Sequence, residues 1–355
     1  MIPIQNRYIT LEIFFSMSRN LLNNSEKLIE VENLAVHFHV PQGTVKAVDG
    51  ISFDIGRGKS LGIVGESGCG KTVTALTMML LHPHPEAKIE KGSIHFYRHK
   101  NEIINLVDLD VHSKIIRRIR GNEIAMIFQE PMMSLNPVHK IGDQLMEIIR
   151  LHQQISKSNA KQVALDALDM VKISAPVQRM NEYPFQISGG MRQRVMIAMA
   201  LCCKPKLLIA DEPTTALDVT IEAEILKLIK ELQNDLNMSL MMITHDLGVI
   251  GEVTDQVAVM YVGKIVEKAS TEDLFKEPLH PYTQGLFKSR PEIKISGRLD
   301  SIKGAVPSPY EVTHGCGFAP RCDFATSLCR SRSPELISLD GREVSCWKYA
   351  DQGGI

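Results

Sequence analysis

Gly65-Glu66-Ser67-Gly68-Cys69-Gly70-Lys71-Thr72 decides the fold of this 355-residue chain. It completes the pattern G-x-x-x-x-G-K-[ST] between an apolar run, Leu61 to Gly65, and a helix predicted from Lys71 to Leu81. Glycines permit positive φ and close backbone approach, so N–H groups and the helix N-terminus converge on phosphate oxygens. We expect Lys71 to neutralise β- and γ-phosphates and the Thr72 hydroxyl to bind Mg²⁺. The strand-loop-helix context argues against a glycine-rich turn that only caps a helix.

A second apolar run, Lys206 to Asp211, ends in a pair of carboxylates. Asp211 is expected to hold Mg²⁺, and Glu212 to face the γ-phosphate and polarise the attacking water as general base. Such a pair is weak evidence alone, because many acidic pairs cap a helix or are solvated. Downstream of a complete phosphate loop, the catalytic interpretation is favoured.

The remaining pattern predicts an α/β fold. Alternating segments at Leu28 to Val40 and Val45 to Ile55, separated by Pro41-Gln42-Gly43, suit a β-hairpin with one buried face. Short apolar runs then alternate with helix-length segments, which is typical of a doubly wound parallel sheet. The further runs are Glu123 to Gln129, Ser239 to Thr244 and Gln256 to Met260.

Composition excludes several classes of protein. Lys and Arg total 40 against 41 Asp and Glu, so bulk charge gives no reason to expect sequence-independent nucleic-acid binding. The longest apolar stretches, such as Val195 to Cys203, are far shorter than the ~20 residues that cross a bilayer. A phosphate-binding chain with no export signal is expected in the reducing cytoplasm, where disulfides are rare. Any membrane role is therefore expected to be peripheral, through partner subunits.

Ile187-Ser188-Gly189-Gly190-Met191-Arg192-Gln193-Arg194 narrows the class further. It begins a helix and so creates a second helix N-terminus with free N–H donors. One nucleotide does not need two such phosphate-binding sites, so this second helix start calls for another explanation. The segment resembles the signature motif of ABC ATPases, with Ile187 where Leu is usual and Met191 where Gln is usual. The methionine looks like the peptide-importer branch. The plain alternative is a serine N-cap followed by flexible glycines.

This resemblance implies a P-loop NTPase cassette with a parallel-sheet core, an antiparallel β subdomain and an inserted helical subdomain. It also implies that Ser188, Gly189 and Gly190 of one subunit close over the ATP held by another, so that two subunits sandwich two nucleotides. The phosphate loop, including Glu66, Ser67 and Cys69, and Asp211 would then bind ATP and Mg²⁺.

Other positions match the family in order, each weakly by itself. Gln129 resembles the Q-loop glutamine, which contacts Mg²⁺ and couples to membrane subunits. Ala216-Leu217-Asp218 resembles the D-loop at the dimer interface. His245 resembles the switch histidine, whose neutral imidazole would bind the γ-phosphate. Phe38 resembles the aromatic residue that stacks on adenine. His37 or His39 could occupy that position instead, and Phe38 would then be an ordinary core residue.

The resemblance covers roughly Leu28 to Trp347. Ile124 to Pro137, Ser188 to Ala200 and His280-Pro281-Tyr282-Thr283 look closer to the peptide, dipeptide and nickel importer branch. We therefore expect the cassette at 28–270, with its helical subdomain at about 131–190, and a loop-rich extension at 271–355. Residues 1–27 read as a disordered extension or as a misplaced start, with Met17 in place of Met1.

The extension carries Cys316, Cys322, Cys329 and Cys346. Four soft thiolates suit zinc or an iron-sulfur cluster. Their spacings of five, six and sixteen residues lack the C-x₂-C knuckles of structural zinc, and the resemblance favours [4Fe-4S] over zinc or no metal. A structural role is favoured over redox sensing, because too little apolar sequence surrounds the cysteines for an independent core.

The resemblance implies an ATPase subunit of an importer that takes up di- or oligopeptides at the cytoplasmic face of the inner membrane. Its partners would be a second homologous ATPase subunit, different or identical, two transmembrane permease subunits and an extracytoplasmic peptide-binding protein. Nickel, glutathione and antimicrobial peptides stay open as cargo. A non-transport ATP-binding iron-sulfur protein is the other alternative, whereas DNA-repair and translation ATPases would need a coiled-coil insertion, a second cassette or a basic face.

Overall fold

A computed structural model describes residues 26–99, 102–129, 135–215, 217–289, 302–308, 310 and 314–350. Residues 1–25 of the expected N-terminal extension therefore lie outside the described part of the chain. The strands are β1 (Lys27–Val40), β2 (Gly43–Gly56), β3 (Ser60–Val64), β4 (Ala87–His99), β5 (Glu102–Asn105), β6 (Ile124–Ile127), β7 (Leu207–Asp211), β8 (Ser239–Thr244), β9 (Gln256–Tyr261), β10 (Lys264–Ser270), β11 (Ile337–Leu339) and β12 (Arg342–Val344).

Eleven α-helices lie in the described ranges, together with short 3₁₀ turns. They are α1 (Lys71–Met78), α2 (Lys114–Ile119), α3 (Ile141–Gln153), α4 (Lys157–Met170), α5 (Pro176–Arg179), α6 (Gly189–Leu201), α7 (Val219–Asp235), α8 (Leu247–Val253), α9 (Thr271–Lys276), α10 (Pro281–Lys288) and α11 (Ser327–Ser331). Helix α1 ends before the predicted Leu81, because Leu80 adopts φ +49°. In the described part of the chain, no helix is both long and apolar enough to span a bilayer.

Two sheets organise these elements. Four antiparallel strands form one sheet in the order β2-β1-β4-β5, and the second sheet has the order β11-β12-β10-β9-β3-β8-β7-β6. Strands β6, β7, β8, β3 and β9 are parallel. Every residue of β3, β7 and β8 is buried, as expected for strands covered on both faces. The predicted hairpin and parallel core are confirmed, whereas β4, β5 and β10 had no clear signal in the sequence.

Helices α3 to α6 form the helical subdomain between β6 and β7. Leu145 of α3, Leu168 of α4 and Val195 of α6 belong to one core that continues onto the parallel sheet. The start of the predicted insertion, residues 131–134, lies outside the described part of the chain.

The C-terminal segment, which the sequence predicts to be a loop-rich extension, packs directly on the cassette. Strand β12 pairs antiparallel with β10, and β11 pairs with β12, so the segment lengthens the central sheet. Tyr282 and Phe318 join the main core, and Leu279, Val344 and Tyr349 form a small separate cluster among the described residues of the segment. The segment has too few apolar residues for its own core, and it therefore packs on the cassette.

Candidate active site

The phosphate loop lies between β3 and α1, at the carboxyl edge of the parallel strands. Gly68 and Gly70 adopt φ +80° and +102°, and a Cβ on Gly70 would lie 2.1 Å from the Ala47 carbonyl oxygen. A Cβ on Gly65 would lie 2.2 Å from the Met260 carbonyl oxygen. Gly70 is also the N-cap of α1 and supplies no side-chain cap. Only glycine fits the two enclosed positions, and the start of α1 offers backbone N–H groups of the kind that bind anions.

Lys71 is folded back along this loop. Its side chain is buried, and Nζ donates to the carbonyl oxygens of Gly65 at 2.7 Å and Glu66 at 3.2 Å. The ammonium group is thus held inside the cradle where phosphate charge would be neutralised.

Asp211 ends β7 in a buried position beside Thr72. Burial raises the pKa of Asp211, and a hydrogen bond from the Thr72 side chain opposes the shift. Oδ1 of Asp211 is buried and has no hydrogen-bond partner among the described residues. A carboxylate and a hydroxyl oxygen next to a phosphate cradle are hard donors of the kind that Mg²⁺ prefers. These two residues therefore fit the predicted metal.

Glu212 is the centre of a polar cluster one residue further on. Gln129 Nε2 donates to Oε2 of Glu212 at 2.9 Å, and Thr215 Oγ1 donates to the same oxygen at 3.1 Å. Nδ1 of His245 lies 3.1 Å from Oε1. The structure thus brings together the three residues predicted as catalytic, and it adds Thr215. No motif marked that threonine, although its place three residues after Glu212 is typical of a turn.

The surroundings of Glu212 set the protonation state of its carboxylate. Burial acts to raise the pKa of Glu212, but hydrogen bonds from His245 and Thr215 and the charge of Lys71 hold that pKa below its ordinary value. The carboxylate is therefore ionised at neutral pH. Its backbone is strained, with φ +44°, which is uncommon outside glycine and is often found at active sites.

The signature and D-loop residues cap helices on the surface. Ser188 Oγ accepts from the Met191 N–H at 3.3 Å, and Asp218 Oδ1 accepts from the Ile221 N–H at 3.0 Å. Ser188 and Gly189 are exposed, and a Cβ on Gly189 would have no neighbour within 4 Å. No hydrogen bond between described residues joins Ser188 to the phosphate loop. Gly190 lies against Ile221, so the two helix starts are adjacent.

Phe38 lies on β1, opposite Val45 of β2 and Ala87 of β4. Its half-buried side chain packs against the core of the β subdomain. The rival His39 is engaged elsewhere, because its Nε2 lies 2.7 Å from Oε1 of Glu90. Adenine stacking by Phe38 stays a prediction.

The sequence predicts that every residue of the phosphate loop binds the nucleotide, but Glu66 contacts the C-terminal segment instead. Its carboxylate accepts from Arg321, and its backbone N–H donates to the Tyr282 hydroxyl. Both partners come from the C-terminal segment. Neither was identified from the sequence as a site residue; the only signal was the His280-Pro281-Tyr282-Thr283 hallmark.

The four cysteines of the C-terminal segment are free thiols. Burial, together with the charge of neighbouring thiols of the same group, raises the pKa of Cys316, Cys322 and Cys346, and this favours the protonated form. Metal ligation needs the thiolate. In the described ranges, no three His, Cys, Asp or Glu side chains are arranged to hold a metal ion. The placement of these thiols does not support the predicted [4Fe-4S] cluster or the zinc alternative.

Comparison with known proteins agrees with this geometry. A family described as ABC transporter matches residues 48–215, and the family described as Oligopeptide/dipeptide transporter, C-terminal region, matches residues 266–329. The oligopeptide transport ATP-binding protein AppD of Bacillus subtilis is 49% identical over 331 residues, which cover 92% of this chain and 98% of AppD. The dipeptide transport ATP-binding protein DppD of Escherichia coli is 46% identical over 330 residues, with the same coverage of both chains.

This chain belongs to the oligopeptide/dipeptide ABC transporter ATP-binding family. The cassette is similar in structure to cbiO1 of Clostridium perfringens, with a TM-score of 0.59 and 26% identity over 71% of this chain and 92% of that one. The dimeric ATP-binding cassette MJ0796 bound to ADP and Pi has a TM-score of 0.60 at 24% identity, covering 69% of this chain and 99% of that one, and shows the fold alone. As an ABC ATPase, the chain binds ATP and Mg²⁺.

Proposed function

We propose that this cassette hydrolyses ATP to drive uptake of di- and oligopeptides, bound to the cytoplasmic face of the inner membrane through permease subunits. The observation that carries hydrolysis is the cluster of Gln129, Glu212 and His245 at the carboxyl edge of the parallel strands. Peptide cargo rests on the names of the relatives.

The residues divide the work of hydrolysis between binding and proton transfer. Lys71 and the N–H groups at the start of α1 bind the β- and γ-phosphates, while Thr72 and Asp211 would hold Mg²⁺. The metal, when bound, neutralises charge on the phosphate oxygens. The ionised Glu212 accepts a proton from the attacking water. Gln129 and His245 orient that carboxylate through their hydrogen bonds, and His245 would contact the γ-phosphate.

Two cassettes are required for a complete site in this proposal. The exposed Ser188 and Gly189 are available to cover the nucleotide of a second subunit, which we propose to be a homologous but different chain; a homodimer is the alternative. Closure of the pair around ATP would move two transmembrane permease subunits, and an extracytoplasmic peptide-binding protein would deliver the cargo.

Transport by the reconstituted assembly tests the proposal. Proteoliposomes that contain the co-purified permease and ATPase subunits should accumulate labelled peptide only with binding protein and Mg·ATP, and Glu212→Gln in this chain should reduce uptake strongly. Glu231→Gln, which changes a surface carboxylate paired with Lys172, is the matched control. Uptake of nickel or glutathione in place of peptides would assign different cargo, and ATPase activity without any uptake would contradict transport.

We also propose that the four-cysteine segment binds [4Fe-4S] in a rearranged form. Support comes from the four free, partly exposed cysteines of this segment and from the backbone, where the Cys316 N–H donates to the Cys329 carbonyl oxygen at 2.8 Å and so brings two of them together. Anaerobically purified protein should contain iron and sulfide and absorb visible light. Cys322→Ser should abolish this absorption, whereas Cys203→Ser should preserve it. Iron-free, colourless protein would refute the proposal, and bound zinc would replace it.

A further inference from the structure

We infer that Arg321 and Tyr282 are positioning residues that hold the phosphate loop from its outer side, so that the C-terminal segment sets the ATP affinity of the cassette. The inference rests on ATP binding at the phosphate loop and is independent of the transported cargo.

Arg321 forms a bidentate ion pair with the phosphate loop. Nη1 donates to Oε2 of Glu66 at 2.6 Å, and Nη2 donates to Oε1 at 3.1 Å. The Arg321 side chain is 5% exposed and that of Glu66 29%, so the pair is largely shielded from water. Arg321 is held in turn by the Tyr261 hydroxyl at 3.3 Å and by the Lys303 carbonyl oxygen at 3.0 Å. A planar guanidinium held at several points is a rigid anchor for a carboxylate.

Tyr282 holds the backbone of the same residue. The Glu66 N–H donates to the Tyr282 hydroxyl at 2.8 Å, and the tyrosine ring is fully buried against Tyr261 and Phe318. Two independent bonds from the C-terminal segment therefore meet at one residue of the loop.

The hydrogen bonds at the start of α10 fix the position of Tyr282 relative to the phosphate loop. Nδ1 of the buried His280 accepts from the Tyr282 N–H at 3.0 Å and caps the helix. The buried Glu267 of β10 accepts from the His280 N–H at 2.9 Å and the Leu279 N–H at 2.7 Å. The hallmark His280-Pro281-Tyr282-Thr283 thus fixes a helix start to the central sheet and directs the tyrosine hydroxyl at the phosphate loop.

Glu66 in turn positions the lysine of the site. Lys71 Nζ donates to the carbonyl oxygen of Gly65, which belongs to the same peptide unit as the Glu66 N–H held by Tyr282, and to the carbonyl oxygen of Glu66 in the next unit. Displacement of Glu66 would therefore move acceptors of Lys71 and disorder the phosphate cradle before ATP binds. Since the contacts of Arg321 and Tyr282 act on the phosphate loop and do not reach Glu212, their loss should weaken ATP binding more than it slows the chemical step.

A double-mutant cycle on the full-length chain tests whether the contact between Arg321 and Glu66 sets the ATP affinity. Arg321→Met should raise the Kd for Mg·ATP, measured by calorimetry, by about tenfold. Glu66→Gln should act in the same direction, and the double variant should be no weaker than Arg321→Met, because both changes remove one interaction. In the reconstituted assembly, KM for ATP should rise while kcat stays within about twofold. Lys303→Met is the matched control, since its ion pair with Asp323 lies in the same segment but is exposed.

Tyr282→Phe keeps the buried ring and removes only the hydroxyl, so it should raise Kd by about threefold without unfolding the chain. If Arg321→Met does not fold, Glu66→Gln and Tyr282→Phe decide the matter. Wild-type affinity in both, additive effects in the cycle, or an equal loss in Lys303→Met would overturn the inference. Failure of the wild-type chain to bind Mg·ATP would instead remove the nucleotide site itself.

Discussion

Replacement of Gly70 by alanine measures how tightly the phosphate loop is enclosed. The new Cβ would lie 2.1 Å from the Ala47 carbonyl oxygen, and the residue would keep φ +102°. The left-handed conformation costs an L-residue about 1–2 kcal/mol. Relief of a clash with backbone, which cannot rotate away, adds about 1–3 kcal/mol. Gly70→Ala should therefore lower the free energy of unfolding by about 2–5 kcal/mol in total.

Gly68→Ala is the matched control for this prediction. Gly68 also has a positive φ, +80°, but an added Cβ would meet nothing within 4 Å. Only the conformational cost of about 1–2 kcal/mol applies. Urea unfolding of the nucleotide-free chain, followed by circular dichroism, compares the two variants. Equal destabilisation by both would show that β2 does not press on the loop, and the packing argument would be wrong.

Three further predictions follow from the site and its surroundings. Glu212→Gln should bind Mg·ATP but lose at least about 100-fold in ATPase turnover, because the amide cannot accept the proton of water; filter binding and phosphate release measure the two properties. Asp218→Ala should cost about 1 kcal/mol in urea unfolding through loss of the α7 N-cap, with Asp235→Ala at the other end of the helix as control. Burial lowers the pKa of His280 to about 3, against about 6.5 in the unfolded chain, so only the unfolded chain gains a proton below pH 6.5. The contribution of His280 to stability should then fall by about 1.4 kcal/mol per pH unit from pH 6.5 down to about 3, and His280→Asn should show a weaker pH dependence of unfolding.

Each of these predictions has a distinct contrary result. Unchanged turnover in Glu212→Gln would remove this carboxylate from catalysis. Equal losses in the two aspartate variants would show that Asp218 does not act as a cap. A pH dependence of unfolding identical in His280→Asn and wild type would mean that His280 titrates alike in the folded and unfolded chains.

Local patterns carried most of the information about the parallel core. The strands β3, β7, β8 and β9 appear in the sequence as short apolar runs, because a strand buried on both faces needs apolar residues throughout. Strand β4 was missed for the opposite reason. It is buried only at scattered positions such as Ile94 and Phe96, and its sequence therefore lacks both a continuous apolar run and regular alternation.

The candidate site was predictable where its residues follow strand ends. Asp211, Glu212 and His245 come directly at or after buried parallel strands, and such strand ends meet at one edge of the sheet. The hydrogen bonds of Glu212 to Gln129 and Thr215 required the folded chain, since side-chain directions are not encoded in spacing.

The amino-acid sequence by itself determined the phosphate loop, the parallel core and the residues at its carboxyl edge, because each depends on local conformation and burial period. Only the tertiary structure decided that the C-terminal segment extends the central sheet and grips Glu66 through Arg321 and Tyr282. Glu66 and Arg321 lie 255 positions apart, and no local pattern links them. Their contact exists because a segment without enough apolar residues for its own core packs on the cassette, where a buried guanidinium needs a carboxylate partner.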